Sequence, residues 1–251
     1  DLPVAADHIL RAIRDRAPIL VWGDFDVDGQ TSTALLVEAL TRVGAQVEYY
    51  IPHRIHESNG ILVESLQTQL ETFPAALLLT CDTGVSAHEA IDYAKRRGLT
   101  VVITDHHDLP PQLPAADAVV NPKRLPADHP LAALPGVGTA YKLVEQLYTQ
   151  LGRADELALF LDLVALGIVV DVAQQVADTR YLLQRGLAQL RVTQRPGLLA
   201  LFATAGLHQA QIGATEIAFQ IGPRLNAAGR LDDARPVVEL LTTQDRSRAE
   251  F

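Results

Sequence analysis

Four short apolar runs in this chain each end on an acid, and no other feature restricts its fold as much. Ile19–Gly23 leads into Asp24 and Asp26, and Leu77–Cys81 into Asp82. Val101–Thr104 leads into Asp105-His106-His107, and Leu166–Val170 into Asp171. Carboxylates are seldom buried unless they are paired or bind metal. Acids repeated at the ends of strand-like runs therefore point to one shared metal site. Oxygen donors with an imidazole suit Mn²⁺ or Mg²⁺ better than a thiolate-preferring metal.

Between the runs the spacing turns helical. Strands are expected over 19–23, 46–52, 75–81, 100–104 and 118–121, with helices over 31–42, 61–71 and 86–97. Gly44 and Gly98 are suited to stop two of these helices. The alternation predicts an α/β fold, a parallel Rossmann-like sheet flanked by helices. A mainly helical segment follows, with helices over 139–151, 157–168, 179–190 and 196–205. Residues 109–135 hold seven prolines and read as a long loop, a common setting for function. Ligands of open parallel sheets bind beyond the carboxyl ends of the strands. Asp24, Asp26, Asp82 and Asp105 all fall there.

Composition narrows the setting. The chain has 251 residues, 48% of them hydrophobic, enough for a substantial core. The net charge of −9 argues against broad nonspecific attraction to nucleic acid, although bound cations would offset several of the acids. A single cysteine rules out an internal disulfide and favours a reducing cytoplasm; Cys81 reads as a small core residue. No run is apolar enough to span a membrane, so no membrane role is expected. Methionine is absent, and we expect a piece of a longer protein.

Each motif has a bland alternative. Asp24 and Asp26 lie two apart, so in extended backbone both face one side. Asp28 is then expected to point elsewhere, as a turn former with Gly29 or a supporting group. An EF-hand would need Glu at the twelfth position from Asp24, which is Leu35. Asp82 before Thr83-Gly84, and Asp171, are each also plausible helix caps. Paired histidines beside an aspartate after a buried strand are harder to explain by packing. Arg224, Asn226 and Arg230 form the best phosphate patch, with Arg54 a weaker candidate. Leu134–Ala140 has the look of a helix-hairpin-helix loop whose N–H groups could hold a phosphate, though a tight turn before a helix is the expected role.

Together these residues resemble the DHH phosphoesterase superfamily, with the RecJ-type single-stranded-DNA exonucleases nearest. The resemblance runs through Gly23–Ser32, Ile51–Arg54, Cys81–Gly84, Asp105-His106-His107, Asn121-Pro122, Leu134–Gly138, Asp171 and Gly222–Leu231. The chain departs from the family pattern at Glu57-Ser58-Asn59-Gly60. Phosphodiesterase and pyrophosphatase relatives carry a His where this chain has Leu20, which favours the nuclease branch.

The resemblance implies two divalent cations, Mn²⁺ preferred or Mg²⁺. Asp24, Asp26, Asp82, His106 and Asp171 would be ligands, with Asp82 bridging. His107 would face the scissile phosphate, and Asp105 and Asp28 would support catalysis. It also implies 5′ to 3′ hydrolysis of single-stranded DNA in recombination and repair, by a cytoplasmic monomer, with a helicase or single-strand-binding protein as candidate partner. Residues 1–172 would be the catalytic α/β region and 173–251 its helical continuation, with the substrate Arg/Asn loop. The family's C-terminal DHH-associated and oligonucleotide-binding domains lie outside this sequence. A smaller-substrate phosphodiesterase and a non-catalytic scaffold are the alternatives.

Overall fold

Five strands form one parallel sheet: β1 (Ile19–Trp22), β2 (Val47–Tyr50), β3 (Leu77–Cys81), β4 (Thr100–Thr104) and β5 (Ala118–Val120), in the order β2-β1-β3-β4-β5. The computed structural model describes residues 1–57, 60–231 and 233–251, the side chains of 228–231 excepted. Alternate strand residues face opposite sides of a sheet, and both sides are buried here. Ile19, Val21, Leu77, Leu79 and Val102 enter one core, while Leu20, Trp22, Leu78, Val101 and Ile103 enter another. This explains why the strands read as continuous apolar runs.

Helices cover both faces. α1 (Leu2–Arg14), α2 (Val27–Arg42), α5 (Gly136–Gln150) and α6 (Leu161–Val170) build the larger core through Ile9, Leu35, Ala39, Leu143 and Leu163. α3 (Val63–Thr72) and α4 (His88–Arg96) supply Leu66, Leu70, Ala90, Ile91 and Ala94 to the other. The remainder is α7 (Ala177–Leu190), α8 (Pro196–Ala205), α9 (Ala214–Glu216), a π-helical turn Ile217–Ile221, α10 (Gly222–Leu231), α11 (Arg235–Thr242) and α12 (Arg246–Glu250). No described helix is long and apolar enough to cross a membrane.

The structure corrects two expectations and decides a third. Leu166–Val170, one of the strand-like runs, completes α6, so of the two readings of Asp171 the helix cap holds: it is the C-cap. That run is buried from all sides, so its apolarity carries no period. The expected substrate loop at 222–231 is helical. The helix expected from Thr31 begins at Val27, because the Asp26 carboxylate accepts from Gly29 N at 3.0 Å and caps it earlier.

The strand order places the topological switch between β1 and β3. One crossover leads from β1 outward to β2, and the next returns past β1 to β3. Crevices at such points bind ligands, and Asp24 and Asp82 follow these two strands.

Candidate metal centre

The local backbone explains how acids from distant segments meet. Asp82 follows β3 with φ 59°, a left-handed conformation that Asp and Asn tolerate better than most residues. Its side chain is almost fully buried. Gly136 opens α5 against it: a Cβ there would lie 2.5 Å from Asp82 Oδ1. Only glycine allows the two segments so close.

Of the two readings of Asp28, turn former or supporting group, the geometry favours the second, but the side chain turns inward rather than elsewhere. Its carboxylate is buried, and its oxygens accept from Gly136 N at 2.7 Å and Val137 N at 2.9 Å. The reason is the early start of α2: strand alternation ends at Asp26, and helical backbone swings Asp28 inward. The same bonds correct the phosphate reading of Leu134–Ala140, because the first N–H groups of α5 are already occupied by Asp28. The helix dipole adds to their attraction for a carboxylate.

His106 is the hub. Its Nε2 lies 3.0 Å from Asp82 Oδ1 and 3.8 Å from Asp28 Oδ2. One ligand atom each from Asp82, His106 and His107 fall within 4.8 Å of one another, and so do atoms of Asp28, His106 and Asp171. Asp24 and Asp26 belong to neither triad among the described residues. Asp24 Oδ1 accepts instead from Phe25 N at 2.6 Å, and Asp26 caps α2.

Electrostatics divide these groups. Burial raises the Asp24 carboxyl to about 6, against the Phe25 N–H bond and with help from the neighbouring Asp26 charge. Burial, then the charge of Asp82, drives Asp28 well above its ordinary value. Burial, then Asp26 and Asp24, does the same to Asp82. Burial raises Asp171, partly offset by His106. Asp105 goes the other way. Burial would raise it, but the His107 bond and charge, with N–H bonds from Val85 and His107, outweigh that and hold it low. Its Oδ1 lies 2.7 Å from His107 Nδ1 and accepts from His106 N at 2.7 Å, and its Oδ2 accepts from Val85 N at 2.9 Å. The same Asp105 bond raises His107.

The donor set fits hard divalent cations. Six carboxylates and two imidazoles gather at one crevice, with no Lys or Arg bonded to any of them among the described residues. Asp82 Oδ1 is buried and accepts no hydrogen bond, despite the nearby His106 ring. An orphaned buried carboxylate oxygen needs a cation or a proton.

The substrate candidates sit differently. Arg54 is exposed, with its guanidinium 4.8 Å over the Phe25 ring, between Asp24 and Asp26 in sequence. Its turn is anchored by Glu57, which accepts from Tyr50 Oη at 2.5 Å and Ser65 Oγ at 2.8 Å. The sequence reading missed both roles, although an aromatic wedged between two acids was a visible signal. Arg224 is exposed on α10, donating to Gln220 O at 2.7 Å, and Asn226 is half-buried. The Arg230 side chain and residues Ser58 and Asn59 lie outside the described residues. Cys81 is buried, as expected of a core residue.

A parallel sheet covered on both faces, with carboxylates and imidazoles gathered beyond its switch point, defines a metal-site α/β domain. The family model for the DHH family, N-terminal domain, matches residues 18–168, and this chain belongs to the DHH family. It is 42% identical over 259 residues to the single-stranded-DNA-specific exonuclease RecJ of Dickeya dadantii, covering 98% of this chain and 45% of that protein. The Bacillus subtilis RecJ is 39% identical over 246 residues, covering 98% and 30%. The chain thus spans less than half the length of these curated relatives. Among solved structures, exonuclease RecJ bound to manganese matches with TM-score 0.91 at 36% identity, covering 99% of this chain and 62% of that one. RecJ of Thermus thermophilus in complex with Mn²⁺ matches with TM-score 0.87 at 34% identity, covering 99% and 36%.

Proposed function

We propose that this chain is the catalytic core of a divalent-metal-dependent exonuclease that hydrolyses single-stranded DNA from the 5′ end. The observation that carries it is the acid–imidazole cluster at the switch point, with no Lys or Arg bonded to it among the described residues and Asp82 Oδ1 accepting no hydrogen bond. Similarity to proteins named single-stranded-DNA-specific exonucleases supports the substrate; the 5′ polarity is what the family resemblance implies.

Asp24, Asp26, Asp82, His106 and Asp171 would hold two Mn²⁺ or Mg²⁺ ions, with Asp28 fixed beside them by α5. Bound divalent cations supply charge neutralisation at the phosphodiester and make water more acidic. The chain supplies the rest. Asp105 bonds His107 at Nδ1, which fixes the ring and leaves Nε2 to donate to a phosphate or leaving oxygen. The Asp105 bond raises the His107 pKa, which favours the protonated ring. Arg54, Arg224, Asn226 and Arg230 would position the strand. Residues 1–172 form the catalytic region in this reading and 173–251 its helical continuation. A monomer acting in the cytoplasm in DNA repair and recombination, with a helicase or single-strand-binding protein as partner, belongs to the same proposal.

The test uses single strands labelled at either end. With Mn²⁺, mononucleotides should appear first from the 5′ end, and chelation should stop their release. Long strands left intact, or dinucleotides hydrolysed in preference to them, would overturn the reading.

A further inference from the structure

One groove adjoins the acid cluster without being part of it. It is open, about 580 Å³, and bordered by Val170, Val172, Ala218, Phe219, Pro223 and Asn226. That volume is typical of small-ligand sites. Asp171 lies between Val170 and Val172 in the chain, so one wall of the groove continues directly into the cluster. α10, which lines the groove through Pro223 and Asn226, carries Arg224 on its exposed surface.

Two features set this groove apart from ordinary surface. Phe219 is 78% exposed, although the residues around it at Ile217 and Ile221 are fully buried. It projects from a π-helical turn, a conformation that recurs at functional sites. Val172 is 86% exposed and holds φ 57°, an outlier for a β-branched residue. Its neighbour Asp171 caps α6 and is itself drawn toward His106 and Asp28. The groove therefore offers an aromatic face, an apolar floor and the Asn226 amide beside a phosphate-hydrolysing cluster.

We infer that this groove is a nucleobase site in which Phe219 stacks on a base of the DNA strand whose backbone crosses the acid cluster. The occupant rests on the nuclease reading above. Stacking on an exposed aromatic suits a strand of any sequence, because every base has a π-face. A duplex would not be accommodated this way, since its bases already stack on each other. Asn226 can donate to or accept from a base edge or sugar oxygen. Phe219 is thus a strand-holding residue.

Binding is measured by anisotropy on a labelled oligothymidylate, with Ca²⁺ replacing Mn²⁺ to suppress cleavage. Phe219→Ala should weaken Kd on the order of 10-fold, and Phe219→Trp should retain tight binding. A series of strands carrying one abasic residue at successive positions locates the stacked base. At one position the missing base should cost the wild type about as much as Phe219→Ala does, and cost that variant nothing more. Equal binding by wild type and Phe219→Ala, or equal abasic penalties in both, overturns the site; a protein segment as the natural occupant would give that result. Cleavage in Mn²⁺ separates the two readings. A Phe219-dependent abasic penalty without any hydrolysis keeps the base site and removes the nuclease reading. Hydrolysis with an unchanged KM in Phe219→Ala does the reverse.

Discussion

The same two helices bury acids at both of their ends, and the two ends treat charge in opposite ways. At one end, Asp28 of α2 and the Asp171 cap of α6 join Asp24, Asp82 and the histidines. At the other, Glu38 of α2 and Asp162 of α6 meet Arg195, whose side chain is also buried. Ten residues of helix, about 15 Å, separate Asp28 from Glu38. Arg195 uses all five of its N–H donors: two to Asp162, one to Glu38, and one each to Leu241 O and Leu159 O. Thr193 Oγ1 adds a 2.6 Å bond to Asp162, and Arg42 bonds the second Glu38 oxygen at 2.9 Å. Two guanidinium groups balance two carboxylates, and no divalent ion is called for. Among the described residues the first cluster has acids in excess, no guanidinium bonded to them, and an orphan oxygen. A chain that can staple one end of these helices with an arginine has left the other end open to cations.

The largest expected effect breaks that excess. Asp82→Asn keeps the shape and accepts the left-handed backbone, but removes a ligand charge. Hydrolysis of single-stranded DNA should fall by at least about 100-fold, the upper range for losing even an outer support of a metal site. Stability without metal should be unchanged or higher at pH 7.5, because a like charge has left a crowded buried site. The protective effect of Mn²⁺ in thermal unfolding should shrink with the activity. A variant that loses stability and keeps activity would show Asp82 to be structural.

Next is the balanced end. Arg195→Met leaves Asp162 and Glu38 buried with half of their donors gone. Breaking a buried pair in this way costs about 3–5 kcal/mol, a fall in Tm on the order of 10 °C for a domain of this size. Wild-type stability in this variant would mean that the pairing is not what permits the burial, and the contrast between the two ends would dissolve.

Legibility in the sequence follows the same division. Strand cores were readable because double-sided burial makes them continuous apolar runs; β4 matches its expected span of 100–104, between Gly98 and Asp105. α1 lies outside the sequence expectations although Ile9, Leu10 and Ile13 share its core side with Ala5, Ala6 and Ala12. Ile168-Val169-Val170 resembles a strand end by its β-branched residues, and tertiary burial overrode that preference. The acids of the candidate metal centre stand out in the sequence because each sits at or just past the end of an element. The direction of Asp28 was not, because it depends on where α2 begins and on an N–H pair 108 and 109 residues away. Arg195 carried no signal: its partners lie 33 and 157 residues off, and no local period links them.

The smallest effect is the sharpest probe of the unbalanced end, because it needs no mutation. Asp24 ionises near 6 in the fold and near 3.8 when unfolded. Between those values the folded state holds a proton that the unfolded state has released. Rising pH therefore favours unfolding across this window, and the metal-free protein should lose up to about 3 kcal/mol from this group by pH 7. Asp28 and Asp82, also raised by burial, push the same way. Divalent cations compete with those same protons. Thermal unfolding with and without Mn²⁺ at pH 5.0 and pH 7.5 should show the metal-free Tm falling with pH and the Mn²⁺-induced rise growing with it. A Mn²⁺ shift equal at both values would mean that the ion is held by groups already ionised at pH 5, and the raised carboxylates would lose their place as its ligands.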